Sequence, residues 1–223
     1  EVIAEIQLAF LLHFRHPDCA REYRVRRCGA VTLEGPPGTG KTMLAKAVAN
    51  WLGTLSPTGQ CRFINVKPGS LKSVWYSQTE ANIRGLFQSA RELAEAEPAI
   101  PVVIFMDEID SLATARSGGM FHIDDRVQQA FAAELNGFEE RGNVMIVCAT
   151  NRVDALDPAL VREGRLGDRV ITVPRPNEAA TRAIFGKYLD PGLPYAANGH
   201  GAPAVREEII ESAVARIFAP NGS

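Results

Sequence analysis

With 223 residues, 46% of them hydrophobic, the chain has enough apolar material for one medium-sized globular domain or a domain with a small appendage. A formal net charge of -2 with interspersed signs gives no global electrostatic reason to expect nucleic acid or an anionic membrane as partner, and the longest apolar run, Leu8 to Leu12, is far too short to span a bilayer. The four cysteines, Cys19, Cys28, Cys61 and Cys148, contain no CxxC pair and no disulfide-like spacing, which points to free thiols in a reducing cytoplasm.

The chain opens inside a helical pattern without a methionine and stops at Asn221-Gly222-Ser223, so it reads as a piece of a longer protein, and Glu1 does not begin a signal peptide. His13 and His16 fall on neighbouring helical positions with no second cluster of ligand types, which argues against a metal site there. The basic run Arg21, Arg24, Arg26 and Arg27 fits a solvated or subunit-facing loop better than a nucleic-acid patch.

Short runs rich in valine and isoleucine then alternate with helical patterns, the arrangement of parallel strands covered by helices on both faces. The first strand is expected at 30 to 34. It runs into Gly35-Pro36-Pro37-Gly38-Thr39-Gly40-Lys41-Thr42, which satisfies the P-loop pattern in its required place between a strand and a helix, here 41 to 52. Glycines let backbone N–H groups close around phosphates, Lys41 reaches the β and γ phosphates, and the Thr42 hydroxyl can ligate Mg²⁺. A second strand is expected at 61 to 66. The helix at 79 to 96 follows a Ser77/Glu80 capping-box pattern, shows Ile83, Leu86, Phe87, Ala90, Leu93 and Ala94 at helical spacing, and stops before Pro98.

The third strand, 101 to 107, is apolar until it delivers Asp107 and Glu108 to the carboxyl edge of the sheet, where ligands of open α/β sheets bind. There Asp107 would hold Mg²⁺ directly or through water, and Glu108 would orient and deprotonate an attacking water. Alone, such a pair would also suit a solvated strand end; joined to the P-loop it reads as a hydrolytic site. A helix at 124 to 136 leads to a strand at 143 to 149, which contains Cys148 and ends in Thr150-Asn151. Asn151 could be a turn residue, or an amide that positions water or touches the γ-phosphate. After the last strand, 169 to 173, and Pro174-Arg175-Pro176, the pattern is helical alone, at 177 to 189 and 206 to 218, around a Gly- and Pro-rich loop from 191 to 203. The expected organisation is a large nucleotide-binding α/β domain over 1–176, a doubly wound five-stranded parallel sheet, followed over 177–223 by the start of a small helical domain.

GPPGTGKT, VVIFMDEID and ATNRVDALDPALVREGRLGDR resemble the AAA ATPases along nearly the whole chain. Within that family REYRVR, TEANIRGLFQSAR and IFGKYLDPGLP are similar to stretches of the bacterial proteasome-associated and proteasomal ATPases. The resemblance implies ATP contacts from Gly35, Pro37, Gly38, Thr39, Gly40, Lys41, Thr42, Met43 and Asp107, and it makes the helical domain a lid, with Ile184 and Tyr188 at positions that touch adenine in relatives. It implies that Asn151 is sensor 1, and that Arg162 and Arg165 are arginine fingers completing a neighbouring subunit's site, so that the working form is a homo-oligomeric ring, a hexamer. An arginine supplied from another chain suits the charge that spreads over a transferring phosphoryl group, although two exposed arginines by themselves would be ordinary surface residues.

The matching pore loop is Val74-Trp75-Tyr76-Ser77, with Trp75 and Tyr76 gripping a threaded polypeptide substrate; the alternative is that both aromatics pack inside. A protease or adaptor is a further expected partner. Five positions depart from the family pattern: Ser77 replaces glycine, Asn136 an acidic residue, Glu34 an aromatic or apolar one and Tyr188 the commoner histidine, while Gly167 is a one-residue insertion before Asp168-Arg169. The expected function is therefore an ATP-hydrolysing remodelling motor. The rival readings are a nucleic-acid machine of the clamp- or helicase-loader kind, favoured only by Arg24, Arg26 and Arg27, and a slow ATP-dependent assembly switch.

Overall fold

The computed structural model describes residues 3–7, 10, 16–23, 28–67, 76–113, 123–136, 143–162, 164–190, 192 and 206–219. In chain order the elements are α1 (Pro17–Glu22), β1 (Ala30–Glu34), α2 (Lys41–Leu55), β2 (Arg62–Val66), α3 (Tyr76–Ala96), β3 (Val102–Met106), α4 (Asp110–Ala113), α5 (Ile123–Asn136), β4 (Val144–Thr150), β5 (Arg169–Thr172), α6 (Glu178–Tyr188) and α7 (Arg206–Phe218). The chain divides into two compact units, Glu1–Val173 and Pro174–Ser223.

The first unit is built on a five-stranded sheet of order β2-β3-β4-β1-β5 in which every pairing is parallel. Because side chains alternate along a strand, each strand feeds two layers. Val102, Ile104 and Met106 of β3 with Val144, Ile146 and Cys148 of β4 face Ile83, Phe87 and Ala90 of α3 and Phe131 and Leu135 of α5. Val103 and Phe105 with Met145, Val147 and Ala149 face the other way, with Ala45, Val48 and Leu52 of α2. Strands covered on both sides need unbroken apolar runs, and β3 and β4 are buried at every position. Phe87 and Phe131 meet at a ring-centroid distance of 5.9 Å in a tilted pair that joins α3 to α5.

Register carries the strand ends to one edge. Glu34 stands beside Thr150 and Thr172, so Gly35 and Asn151 leave the sheet side by side, while Met106 stands beside Cys148, so Asp107 leaves β3 at the same edge two residues short of Asn151. The expected strands occur within a residue of their forecast ends. Two helices differ: α2 runs on to Leu55, and α3 begins at Tyr76 rather than at 79. Ser77 thus lies inside the first turn of α3, one position past its first residue, rather than at the position before the helix that the capping-box pattern implied.

In the second unit, Asn177 caps α6 by accepting a hydrogen bond from the Ala180 N–H at 2.9 Å. Arg182 on α6 donates to both carboxylate oxygens of Glu211 on α7, at 2.6 and 2.9 Å, and Ile210 and Val214 are buried from the α7 side. Arg206 donates to the Leu189 carbonyl at 2.8 Å and also to that of Gly186, which ties the start of α7 to the end of α6. His13, Arg24, Arg26, Arg27, Val74, Trp75 and most of the loop from 191 to 203 lie outside the described residues.

Candidate functional site

The P-loop turns back on itself through Gly38 and Gly40, whose φ angles of 78° and 88° lie in the left-handed region that side-chain-bearing residues avoid. Gly40 is the N-cap of α2. No side chain caps this helix and no acidic residue sits in its first turn, which leaves its leading end, where N–H groups and the positive end of the dipole lie, suited to an anion.

Lys41, the first residue of α2, is folded over the loop: its ammonium donates to the carbonyls of Gly35 at 2.8 Å and Pro36 at 2.9 Å, and to the Asn151 side-chain oxygen at 2.8 Å. It is only 8% exposed. Burial pulls its proton affinity below the ordinary lysine range, and the nearby charges of Asp107 and Asp110 offset part of that effect. The next residue, Thr42, donates its hydroxyl to Asp107 Oδ2 at 2.9 Å. Two loops, after β1 and β3, are thereby pinned together, and Asn151 brings in a third, after β4.

Asp107 keeps its backbone on the sheet edge through its N–H to the Val66 carbonyl at 3.2 Å. Glu108 then turns sharply away with φ 56°, the one non-glycine residue with positive φ among the described residues. Its N–H donates to Asp107 Oδ1 at 3.1 Å, its carbonyl accepts from the Ser111 N–H at 2.9 Å, and its side chain is exposed at the edge. Left-handed backbone costs a side-chain-bearing residue roughly 1–2 kcal/mol, and such strain persists where the surroundings impose it, commonly at functional sites.

Arg162 and Arg165 stand on the turn that precedes β5. Arg162 is exposed, whereas Arg165 donates to the Asn136 side-chain oxygen at 2.7 Å and to the Ala159 carbonyl at 2.5 Å. Neither is bonded to Lys41, Thr42, Asp107 or Asn151 among the described residues. Pro37 and Met43 are exposed on the P-loop side, and on α6 of the second unit Ile184 and Tyr188 are 45% and 67% exposed. Tyr76 is placed by its backbone as the first residue of α3.

The family described as "ATPase family associated with various cellular activities (AAA)" matches residues 31–175, a span that holds Lys41, Thr42, Asp107, Glu108 and Asn151. The chain belongs to the AAA family. Among similar proteins, an "AAA ATPase forming ring-shaped complexes" from Corynebacterium efficiens is 42% identical over 217 residues, which cover 96% of this chain and 39% of that protein. "Proteasome-associated ATPase" proteins from Streptomyces griseus subsp. griseus and Thermomonospora curvata are 38% and 40% identical, over 96% and 97% of this chain and 38% of each relative. The chain therefore spans about two fifths of the length of these relatives.

In this AAA chain the structure also shows contacts that motif spacing left unremarked. Asp110 accepts a hydrogen bond from the Thr150 hydroxyl at 2.9 Å, and Thr150 Oγ1 in turn accepts from the Arg152 N–H at 3.0 Å, which braces the turn around Asn151. Asp110 lies three positions after Asp107 in the same motif, so its place at the start of α4 was the available signal. Among the described residues no group of three or more His, Cys, Asp or Glu side chains forms a metal cluster. No described helix is long and apolar enough to cross a membrane. Cys148 is buried and Cys61 half-buried, and burial pushes the Cys61 thiol up to about 11 and Cys148 higher still, so both are inert thiols at neutral pH.

Proposed function

We propose that this AAA chain hydrolyses ATP at the carboxyl edge of its sheet, as one subunit of a hexameric cytoplasmic ring that draws in and remodels a polypeptide. The observation that carries the reading is the bonded set Lys41–Asn151 and Thr42–Asp107, with Glu108 turned outward beside it. Phosphates lie in the loop from Gly35 to Gly40 and on the leading amides of α2, including those of Thr42 and Met43. Lys41 exchanges its carbonyl acceptors for β and γ oxygens, and Asn151 keeps a polar group beside the γ-phosphate without adding charge.

A hydroxyl and a carboxylate 2.9 Å apart are hard oxygen donors, few in number, as Mg²⁺ requires when it keeps several waters and takes the rest of its ligands from phosphate. Thr42 and Asp107 would hold it, and when bound it supplies neutralisation of the phosphate charge. Glu108 orients the attacking water and accepts its proton. Arg162 and Arg165 meet the nucleotide of the adjacent copy, an assignment that the exposure of Arg162 supports.

Residues from 177 onward begin a helical domain in which Ile184 and Tyr188 are assigned to adenine by likeness to relatives, and Trp75 with Tyr76 grips the substrate. The names of the relatives, ring-forming and proteasome-associated, support the ring and a protease or adaptor partner and give no support to a nucleic-acid machine. The test is a comparison of Glu108→Gln and Lys41→Ala in the full chain. Glu108→Gln should bind ATP as the parent does while turnover falls about 100-fold or more, and Lys41→Ala should lose binding itself. Unchanged turnover in Glu108→Gln would remove the proposed base.

A further inference from the structure

We infer that Gly167 and Asp168 are positioning residues that hold Arg162 where it meets a neighbouring copy; the inference rests on the reading of Arg162 as a residue that acts in trans. Gly167 lies flat against the peptide joining Val161 to Arg162. A Cβ at this position would overlap the carbonyl oxygen and carbon of Val161 and stand 3.0 Å from the carbonyl carbon of Arg162. The obstacles are backbone atoms, which no rotamer change can move aside, so any side chain at 167 displaces the stretch that carries Arg162.

Asp168 closes the same turn from its other end. Its Oδ1 accepts the Gly164 N–H at 2.6 Å, and its Oδ2 accepts the Gly29 N–H at 3.0 Å, just before β1. Between them, the Leu166 carbonyl accepts the buried Thr32 hydroxyl at 2.7 Å, and the Leu166 N–H donates to the Leu160 carbonyl at 3.1 Å. The turn is thus stapled by these four hydrogen bonds, two within the stretch from Leu160 to Asp168 and two to Gly29 and Thr32, before and in the strand that leads into the P-loop. Arg162 itself is exposed and has no hydrogen bond or ion pair from its side chain among the described residues, so its position derives from the backbone beneath it.

The test is trans complementation in the full chain. Gly167→Ala should bind a fluorescent ATP analogue within about twofold of the parent yet lose about 100-fold in turnover, the scale expected when a group is misplaced by an ångström. Glu108→Gln subunits cannot hydrolyse but carry an intact Arg162 turn. Mixed in equal amounts with Gly167→Ala, they should restore turnover per Gly167→Ala subunit to about half the parental value, since a head-to-tail interface gives half of those sites an intact neighbour. Arg162→Ala mixed with Glu108→Gln is the reference. Rescue of Arg162→Ala but not of a nucleotide-binding Gly167→Ala overturns the positioning role alone, as does full activity of Gly167→Ala by itself. Failure of both mixtures overturns the trans role of Arg162 and this inference with it. Should Gly167→Ala not fold, Asp168→Asn, which loosens the same turn by removing one acceptor, should lose about tenfold in turnover and show the same rescue; parental turnover in that variant overturns the role.

Discussion

Lys41 and Asn151, 110 positions apart in the chain, meet through a 2.8 Å hydrogen bond from the ammonium to the amide oxygen. The bond joins the start of α2, reached by the loop after β1, to the loop after β4, and the two loops are adjacent because β1 and β4 pair in parallel register up to Glu34 and Thr150. Asn151 therefore lies beside Lys41, the proposed phosphate-binding residue, without adding a charge of its own. Replacing it by alanine should lower kcat about 100-fold while KM for ATP changes less than about threefold, because a positioned polar group acts mainly on the transition state. Steady-state kinetics decides this, and a large rise in KM with unchanged kcat would make Asn151 a simple binding group.

The alkaline limb of ATP binding should report Lys41. Phosphate needs the charged ammonium, and burial lowers its proton affinity against the partial compensation of Asp107 and Asp110. Affinity is then full at neutral pH and declines as pH rises, with the decline setting in below the ordinary lysine value. Bound phosphate strengthens the hold on that proton, so binding should take up protons within this window, which calorimetry in buffers of different ionisation enthalpy measures. Lys41→Arg should move the decline to higher pH, whatever its affinity at neutral pH.

Glu108 holds a left-handed backbone conformation with φ 56°. Glu108→Gly should remove that strain and, after the extra freedom of glycine in the unfolded chain is counted, stabilise the protein by about 0.5–1 kcal/mol, or about 1–4 °C in Tm. Hydrolysis should be lost. Glu108→Gln, which retains the strained backbone, should lose activity with no such gain, and thermal denaturation of the two variants separates the backbone effect from the chemical one.

Phe87, fully buried between α3 and the sheet and paired with Phe131, should be the costliest single truncation on that face. Phe87→Ala is expected to destabilise by about 3–5 kcal/mol, lowering Tm by roughly 10 °C, with nucleotide affinity little changed below the new transition.

Much of this was legible before any coordinates. The strands β3 and β4 are buried on both faces, so they read as continuous apolar runs, and the P-loop glycines, Lys41, Thr42, Asp107 and Glu108 follow a spacing that the chemistry itself imposes. The start of α3 was not legible, since Tyr76, Ser77 and Gln78 suit a first helical turn as well as the loop before one. Contacts that depend on tertiary folding were also beyond the sequence: Asp168 reaches Gly29 across 139 positions, and Arg165 reaches Asn136 across 29. Gly167 stands out in the sequence only as an extra residue. Its necessity is visible once the Val161–Arg162 peptide lies against it.

The most direct test of the central claim, a hydrolytic site completed by a second copy, is ATP turnover per subunit measured against protein concentration, with Arg162→Ala in parallel. Turnover per subunit should rise with concentration to a plateau, and Arg162→Ala should lower that plateau about 1,000-fold at unchanged nucleotide affinity. A rate per subunit that is constant across the series and untouched by Arg162→Ala would contradict the shared site and leave each chain to act alone.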